Sequence, residues 1–440
     1  MPVDLANLYP DHLRTLRANA DTALQRGGFD HLLIAAGVLR YEFLDDHPHP
    51  FTPNPHFKHW LPVTKAPGSW IVHAPGAKPK LIYLQPRDYW HVVPEAPAGY
   101  WVEHFDVTII REAKDAAAHL PKALDRCAII GEDIAAIGDV TPNNPPRVVD
   151  FLHYRRAYKT DYELAMMRVA SKLGARAHRA AEAAFRDGAS EYDINMAYLK
   201  SVHETETELP YSNIVALNQH GAILHYTDLN RAPPTHADSF LIDAGASFHG
   251  YASDITRTHA ARHAGEFQEL VDSVDAAQRG FVDKVRAKQN YPALHIHAHR
   301  ELAAILKQHD FIRMSPESAV ESGVSSAFFP HGLGHLLGLQ VHDVGGFQKD
   351  ESGGTIDKPK GHPYLRLTRD IEPRMVMTIE PGLYFIDMLL AELKDKPVSR
   401  DVNWEKVDRF HKYGGIRIED DVVCTDAAPE NLTRDAFAAA

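Results

Sequence analysis

The stretch FLIDAGASFHGYASDITRTH, residues 240–259, carries two aspartates, Asp243 and Asp254. Its first residues form an apolar run that ends in a carboxylate, and two glycines then allow the chain to turn. Side chains alternate along the returning run, so Asp254 shares a strand face with Thr256. The pattern predicts a hairpin that brings the two aspartates side by side.

Three further segments each place one acidic or imidazole residue in apolar or glycine-rich surroundings. They are FPHGLGHLLGLQVHD with His335, VMTIEPGLYF with Glu380, and GGIRIEDDVV with Glu419. The two glutamates lie on strand-like runs, in which a solvated face is hard to accommodate.

Each of these five residues has an ordinary explanation when it is taken alone. An Asp after a strand is usually a turn or cap residue, and a Glu on a half-apolar strand is usually an edge charge. A lone His in a glycine-rich segment is usually structural. Four carboxylates that converge in an interior, however, repel each other and carry a large desolvation cost. Two divalent cations cancel that charge, so the set predicts a dinuclear metal site.

The predicted donors are four carboxylates and one imidazole, with no thiolate. Oxygen-rich donor sets favour hard or borderline ions. We therefore expect two divalent metal ions per subunit, with Mn(II) first and Co(II), Fe(II) and Zn(II) as alternatives. Neither Cys127 nor Cys424 lies inside a ligand segment, although Cys424 directly follows GGIRIEDDVV.

Composition sets broad limits on function. The chain has 440 residues, enough for two domains with sizeable cores, and its formal net charge of −12 argues against nucleic acid as a partner. Two distant cysteines form no disulfide framework and suit a reducing cytoplasm. No apolar run is long enough to span a bilayer, and the N-terminus lacks the apolar core of a signal peptide. We expect a cytoplasmic protein without a membrane partner.

Hydrophobic periodicity predicts an N-terminal α/β domain, residues 1–157, with a mixed sheet. A first helix should end at Gly27–Gly28, a helical stretch should cover 113–124, and strands should lie near 29–40, 68–74, 80–86, 105–111 and 127–131. The run TPNNPPRVVDF marks the boundary region. The second domain, residues 158–440, should open with a long helix that ends at Gly188, followed by helices near 190–207, 265–288 and 296–309.

The order Asp, Asp, His, Glu, Glu resembles the metallopeptidases of the pita-bread fold, which include methionine aminopeptidase, aminopeptidase P, prolidase and the metal-free creatinase. The segments FLDDHPHPFTPNPHFKHWLPV, HPYLRLTRDIEPRMVMTIEPGLYF and GGIRIEDDVV are similar to the bacterial Xaa-Pro dipeptidases (prolidases), a group that includes organophosphorus acid anhydrolases. The resemblance covers essentially the whole chain. It implies a C-terminal pita-bread domain of two related halves around a curved antiparallel sheet.

The resemblance also implies a role for each ligand. Asp254 and Glu419 bridge both metals, Asp243 binds one of them, and His335 with Glu380 completes the other. A hydroxide between the metals is the expected nucleophile. Glu380 is the candidate that moves its proton to the leaving amine.

Two further histidines, His331 and His342, flank His335. The chain has 28 histidines, so most do no chemistry, and a structural role is the alternative for both. The resembled enzymes use histidines at these positions to stabilise the tetrahedral intermediate and to contact substrate. An imidazole donor beside a developing oxyanion suits that task.

A dipeptidase must also bind both ends of a short substrate. Arg366 matches the prolidase position that binds the proline carboxylate, for which a guanidinium fork is suited, and Arg369 is its competitor. Arg417 either supports the metals or lines the pocket. The resemblance implies four more pocket-lining residues, each with ordinary packing as the alternative: Tyr211, His225, Tyr291 and Leu365.

The resemblance implies a homodimer in which the neighbouring N-terminal domain closes part of the active site. Trp90 and the pair Asp45–Asp46 are the candidates there, with ordinary surface acids as the alternative. Three functions remain open: a prolidase with side activity on organophosphorus triesters, an aminopeptidase P acting on longer Xaa-Pro peptides, and a metal-free pita-bread protein. Because all five ligand residues are retained, a metal-free protein is disfavoured. Arg366 favours a prolidase over an aminopeptidase P.

Overall fold

A computed structural model describes residues 4–439. They divide into two compact units, one formed by the chain up to Met166 with Gln348–Gly354, the other by Met167–Phe347 and the chain from Thr355. The predicted domain division at 157/158 stays a prediction. The proline-rich run expected at the boundary leads into a helix, Pro146–Arg156, that belongs to the first unit.

The first unit is built on a five-stranded sheet. Its strands are β1 (His31–Ala35), β2 (Trp70–His73), β3 (Lys80–Leu84), β4 (Asp106–Ile110) and β5 (Cys127–Ile130). Their order is β4-β3-β2-β1-β5. The pairs β1–β5 and β3–β4 are parallel, whereas β1–β2 and β2–β3 are antiparallel. All five strands fall inside the predicted runs, and the expected mixed sheet is confirmed.

The helices of this unit are α1 (Leu5–Gly27), α2 (Pro55–Trp60) and α3 (Pro146–Arg156). Helix α1 ends where the sequence predicts, because Gly28 adopts a φ of 76°, in the left-handed region. The helix predicted for 113–124 is wrong, since only a short 3₁₀ segment, Ala113–Ala118, forms there. Pro121 follows it and would clash with the carbonyl of a preceding helical turn.

The predicted long helix forms and ends at Arg186. The remaining helices are α4 (Asp161–Arg186), which is this long helix, α5 (Glu191–Val202), α6 (Gly265–Val282), α7 (Tyr291–Gln308), α8 (Pro316–Glu321), α9 (Val324–Phe328), α10 (Asp387–Lys394), α11 (Trp404–Phe410) and α12 (Leu432–Ala439). Helix α5 stops earlier than expected, because His203 adopts a φ of 61°. Helix α7 starts earlier than expected, because the Asn290 side chain caps it by accepting from the N–H of Ala293.

The strands from Ile214 onward are β6 (Ile214–Leu217), β7 (Ser239–Asp243), β8 (Ser247–Phe248), β9 (Tyr251–Ala252), β10 (Thr256–Ala260), β11 (Gln348–Asp350), β12 (Gly353–Thr355), β13 (Val376–Ile379), β14 (Gly382–Tyr384), β15 (Gly415–Arg417), β16 (Asp420–Val423) and β17 (Glu430–Asn431). Two antiparallel sheets dominate the second unit, with the orders β10-β7-β6 and β13-β16-β17. A β-bridge between Thr256 and Glu419 joins them.

Candidate metal centre

In each of the two antiparallel sheets of the second unit, one acidic residue lies at the end of a strand and a second lies shortly before the start of another strand. Asp243 is the last residue of β7 and Asp254 lies just before β10, whereas Glu380 directly follows β13 and Glu419 directly precedes β16. Strands β7 and β10 form the expected antiparallel pair, with Thr256 opposite Asp243, and β8 and β9 form a small ribbon between them.

Hydrogen bonds and ion-pair contacts link four of the five predicted ligands. The Tyr211 hydroxyl lies 2.8 Å from Asp243 Oδ1 and 2.5 Å from Asp254 Oδ1. His335 Nε2 lies 3.5 Å from Asp254 Oδ2 and 3.6 Å from Glu380 Oε1. Side chains from strand ends more than a hundred positions apart therefore meet at one place.

Glu419 completes this group. One potential ligand atom each from Asp254, His335 and Glu419 lie within 4.8 Å of one another. Thr256 Oγ1 donates to Glu419 Oε2 at 2.6 Å, which leaves Oε1 for another partner. All five residues predicted as metal ligands, Asp243, Asp254, His335, Glu380 and Glu419, thus lie in one cluster.

The electrostatics of the cluster favour added positive charge. Burial raises the pKa of Glu380 to about 7 and the pKa of Glu419 well above its usual value. Burial also raises the pKa of Asp243, although Arg417 opposes this. Divalent cations would relieve the repulsion among these acids, and their oxygen atoms are the donors that hard or borderline ions prefer. The donor set therefore fits a divalent metal centre.

A close backbone approach holds His335 in position. A Cβ on Gly334 would lie 2.0 Å from the Thr378 carbonyl oxygen, so only glycine fits there. The N–H of His335 donates to Thr378 Oγ1 at 3.1 Å, and that hydroxyl donates to Glu380 Oε1 at 3.3 Å. Strand β13 thus positions two predicted ligands through one threonine.

The two predicted catalytic histidines lie beside the cluster. His331 Nδ1 is 3.6 Å from Glu380 Oε2, and His331 Nε2 is 2.8 Å from the Tyr384 hydroxyl. Burial lowers the pKa of His331 to about 3. The His342 ring packs edge-on against His335, with the ring centroids 4.4 Å apart.

The predicted pocket residues occupy different surroundings. Tyr211 contacts two aspartates directly, as described above. Tyr291 is fully buried, and its hydroxyl donates to the Thr378 carbonyl oxygen at 3.0 Å. Leu365 is also buried, against Gly332, whereas His225 is exposed but close enough to lower the pKa of His331.

The three candidate arginines separate clearly. Arg417 is buried, and its guanidinium donates to Asp243 Oδ2 at 2.6 Å and to the Tyr384 hydroxyl at 2.9 Å. Arg369 is buried and lies 3.7 Å from Glu372. Arg366 is exposed, and its charge contributes to lowering the pKa of His342. Arg366 is thus the one of these three that faces solvent near the cluster.

Sequence reasoning missed two neighbours of the centre. The Tyr384 hydroxyl joins His331 to Arg417. Asp421 is fully buried and accepts from the N–H of Asp254 at 3.1 Å. Its place two residues after Glu419 is a signal that alternation along a strand could have supplied.

The candidates in the first unit are exposed. Trp90 is 78% exposed. Asp45 Oδ1 accepts from the backbone N–H groups of Asp46 and His47, as a turn residue does. Their predicted part in closing a neighbouring active site stays a prediction.

Two models of known protein families match the chain, one in each unit. The family model described as Xaa-Pro dipeptidase, N-terminal domain matches residues 7–154, and that of metallopeptidase family M24 matches residues 165–426. The chain therefore belongs to metallopeptidase family M24. Curated Xaa-Pro dipeptidases of Xanthomonas campestris and Stenotrophomonas maltophilia are 60% and 58% identical over 435 and 437 residues, 99% of each chain. The expected resemblance to bacterial prolidases is confirmed.

Solved structures support the fold. Aminopeptidase P from E. coli with the inhibitor Pro-Leu has a TM-score of 0.74 and 22% identity, covering 98% of this chain and 95% of that chain. An aminopeptidase of Pseudomonas aeruginosa has a TM-score of 0.71 and 24% identity, covering 99% and 98%. The predicted fold class, an α/β domain followed by a pita-bread domain, is confirmed. Among residues 4–439, no helix has the length and apolar character needed to cross a membrane.

Proposed function

We propose that the chain is a two-metal Xaa-Pro dipeptidase. The observation that carries the proposal is the cluster of two buried carboxyl groups, two partly buried carboxyl groups and one buried imidazole, which needs cations to balance its charge. Relatives named Xaa-Pro dipeptidase, 58% and 60% identical over nearly the whole chain, support the substrate class.

The proposed cofactor is a pair of divalent ions, with Mn(II) first. When bound, such a pair supplies hydroxide near neutral pH and polarises a carbonyl group. Asp254 and Glu419 would hold both ions, Asp243 one of them, and His335 with Glu380 the other. The absence of thiolate donors from this set supports manganese over a thiolate-type zinc site.

Glu380 is the proposed proton carrier. Its Oε2 faces the ring of His331 at 3.6 Å, whereas its Oε1 faces His335, so one oxygen can serve the metal while the other accepts and releases a proton. The proline nitrogen that leaves must gain a proton, and Glu380 is the proposed donor because one of its oxygens faces away from His335 towards His331. His331 and His342 would stabilise the oxyanion from the rim of the cluster.

The proposed substrate contacts divide between charge and shape. Arg366 would bind the carboxylate of proline, because it is the exposed arginine of the three candidates. Tyr211, Tyr291, Leu365, His225 and Arg417 would shape the pocket or fix the ligands around it.

Three finer properties belong to the same proposal. We propose a homodimer in a reducing cytoplasm, and the two buried free cysteines support that compartment. The same nucleophile would also attack phosphorus, which gives a side activity on organophosphorus triesters.

The test is metal-stripped protein reconstituted with Mn(II), Co(II) or Zn(II) and assayed on Ala-Pro, Ala-Pro-Ala and an organophosphorus triester. We expect metal-dependent cleavage of Ala-Pro, greatest with Mn(II), and nearly complete loss in Asp254→Asn. Cleavage of Ala-Pro by stripped protein or by Asp254→Asn would overturn the metal mechanism. A preference for the tripeptide would instead support an aminopeptidase P.

A further inference from the structure

Three histidines form a second cluster in the second unit. His295 and His299 lie one helical turn apart on α7, and His362 lies in the loop that precedes β13. The ring centroids are 4.7 Å apart for the pairs His295–His299 and His295–His362, and 4.5 Å apart for His299–His362. One ring nitrogen of each lies within 4.8 Å of the others. This geometry suits a metal held by three imidazoles.

Two ring nitrogens in this cluster are left over. His295 and His299 are each 1% exposed, yet His295 Nδ1 and His299 Nε2 have no hydrogen-bond partner in the part of the chain that the structure describes. His299 Nδ1 lies 3.0 Å from Ser325 Oγ, which fixes the ring and leaves Nε2 as its unpaired nitrogen. A metal ligand is commonly oriented in this way by a hydrogen bond to its opposite nitrogen.

Hydrogen bonds between the three rings and their neighbours satisfy some of the ring nitrogens but not all of them. His295 Nε2 lies 2.9 Å from His362 Nδ1, so one hydrogen bond joins two of the rings. Buried His178 also leaves one ring nitrogen unpaired, but it belongs to no group of three potential ligands within residues 4–439. Burial lowers the pKa of His295 to about 2 and the pKa of His299 to about 3, so both rings are neutral, the form that binds metals.

We propose that His295, His299 and His362 form a site for one divalent transition-metal ion, with zinc first. Three nitrogen donors with an open fourth position suit Zn(II), whereas the carboxylate cluster suits harder ions. Bonds of about 2.0–2.1 Å to a tetrahedral ion place the ligand nitrogens about 3.3 Å apart, and His362 can adjust its distance because it is partly exposed and lies in a loop.

The site has a consequence for the loop that carries Arg366. The N–H of Leu365 donates to the His362 carbonyl oxygen, and the backbone of residues 364–366 packs against Gly332. An ion bound to His362 would restrict the movement of this loop and so of the Arg366 guanidinium that the loop carries. This consequence rests on the proposed function, whereas the metal site itself does not.

The test isolates the histidine site from the carboxylate cluster. In a doubly substituted background, Asp254→Asn with Glu419→Gln, zinc bound after gel filtration is measured by mass spectrometry. We expect about one zinc per chain, lost when His299→Gln is added. The matched control is His297→Gln, on the same helix but partly exposed and paired with Glu301, which should keep the zinc.

Two outcomes would overturn the proposal: no zinc in the background protein, or the same zinc content with and without His299→Gln. His362→Gln, in the loop, provides a second variant that leaves helix α7 intact. In the same background, cobalt substitution should give the intense visible absorption of a tetrahedral site, and His362→Gln should abolish it. The readout needs no activity, so a failed dipeptidase assay would not affect it.

Discussion

Glu380 holds a position that permits two roles. One carboxylate oxygen faces His335 and the other faces His331, at 3.6 Å each. Thr378 holds the first oxygen by a hydrogen bond. A carboxyl group so placed can serve as a ligand with one oxygen and hold a proton on the other.

Glu380→Gln should therefore damage catalysis beyond any loss of metal. The amide keeps the size of the side chain but cannot carry the proton, so turnover per bound metal should fall by about 10²–10⁴-fold. Metal content and turnover are measured on the same preparation, with exposed Glu405→Gln as the control. Near-normal turnover in a variant that retains its metals would refute the proton-carrier role.

Arg366→Ala should weaken the recognition of a free proline carboxylate. Loss of one charge-assisted contact costs roughly 1.5–3 kcal/mol, about ten- to a hundredfold in kcat/KM. Kinetics on Ala-Pro and Ala-Pro-amide should show that the wild type prefers the free carboxylate and that the variant does so less.

Arg400→Ala is the matched control, because that side chain is 86% exposed and carries the same charge. If wild type and Arg366→Ala discriminate equally between the two substrates, another arginine binds the carboxylate. Arg369 and Arg417 would then be the next to test.

At the level of elements, the segment around His335 depends on its contact with β13. Gly334→Ala would place a methyl group against the Thr378 carbonyl oxygen and the Tyr291 hydroxyl. The strand or the segment must move, which should lower the free energy of unfolding by about 1–3 kcal/mol and weaken metal binding. Thermal denaturation and metal titration measure the two effects.

Gly280→Ala provides the comparison within the same unit. That glycine lies in α6 with open space around its Cβ position, so alanine should raise stability by about 0.5–1 kcal/mol. Equal effects of the two substitutions would show that the close approach at Gly334 contributes nothing.

Local patterns predicted the strand ends that carry Asp243 and Glu380, because apolar runs followed by acids are visible in the sequence. They did not predict the pairing of Asp243 with Thr256, because the glycines of this stretch indicate a turn but do not show that β8 and β9 pair as a separate ribbon. His295 and His299 have helical spacing that could have been noticed. Their partner His362 comes from a distant loop, and only the folded chain shows that it joins them.

At the scale of the whole molecule, buried neutral histidines occur in both units. Burial lowers the pKa of His12 to about 4 and the pKa of His178 to about 3. In the unfolded chain these rings take up protons near pH 6.5, whereas in the folded chain they do not. The stability that they contribute is therefore complete above pH 6.5 and declines as the pH falls towards the folded values.

His178→Gln should make the second unit less sensitive to acid. Glutamine can keep a donor towards the Ala244 carbonyl oxygen, which His178 Nε2 contacts at 2.9 Å, but does not titrate. Between pH 6.5 and pH 5 the wild type should lose about 2 kcal/mol through this one group. Urea denaturation at both pH values measures the difference.

His297→Gln, which replaces a partly exposed ring, serves as the control substitution. An equally steep loss of stability in wild type and His178→Gln would mean that other groups take up the protons.

The bridge between Thr256 and Glu419 joins two sheets with reciprocal bonds. Glu419 N–H donates to the Thr256 carbonyl oxygen at 3.0 Å, and Thr256 Oγ1 donates to the Glu419 carboxylate at 2.6 Å. The N–H of Asp254 donates in turn to Asp421 on β16. Neither sheet can open at this edge without breaking bonds of the other, so their amide hydrogens should exchange with solvent in one shared opening event. Deuterium uptake in β7 would then report on β16 as well.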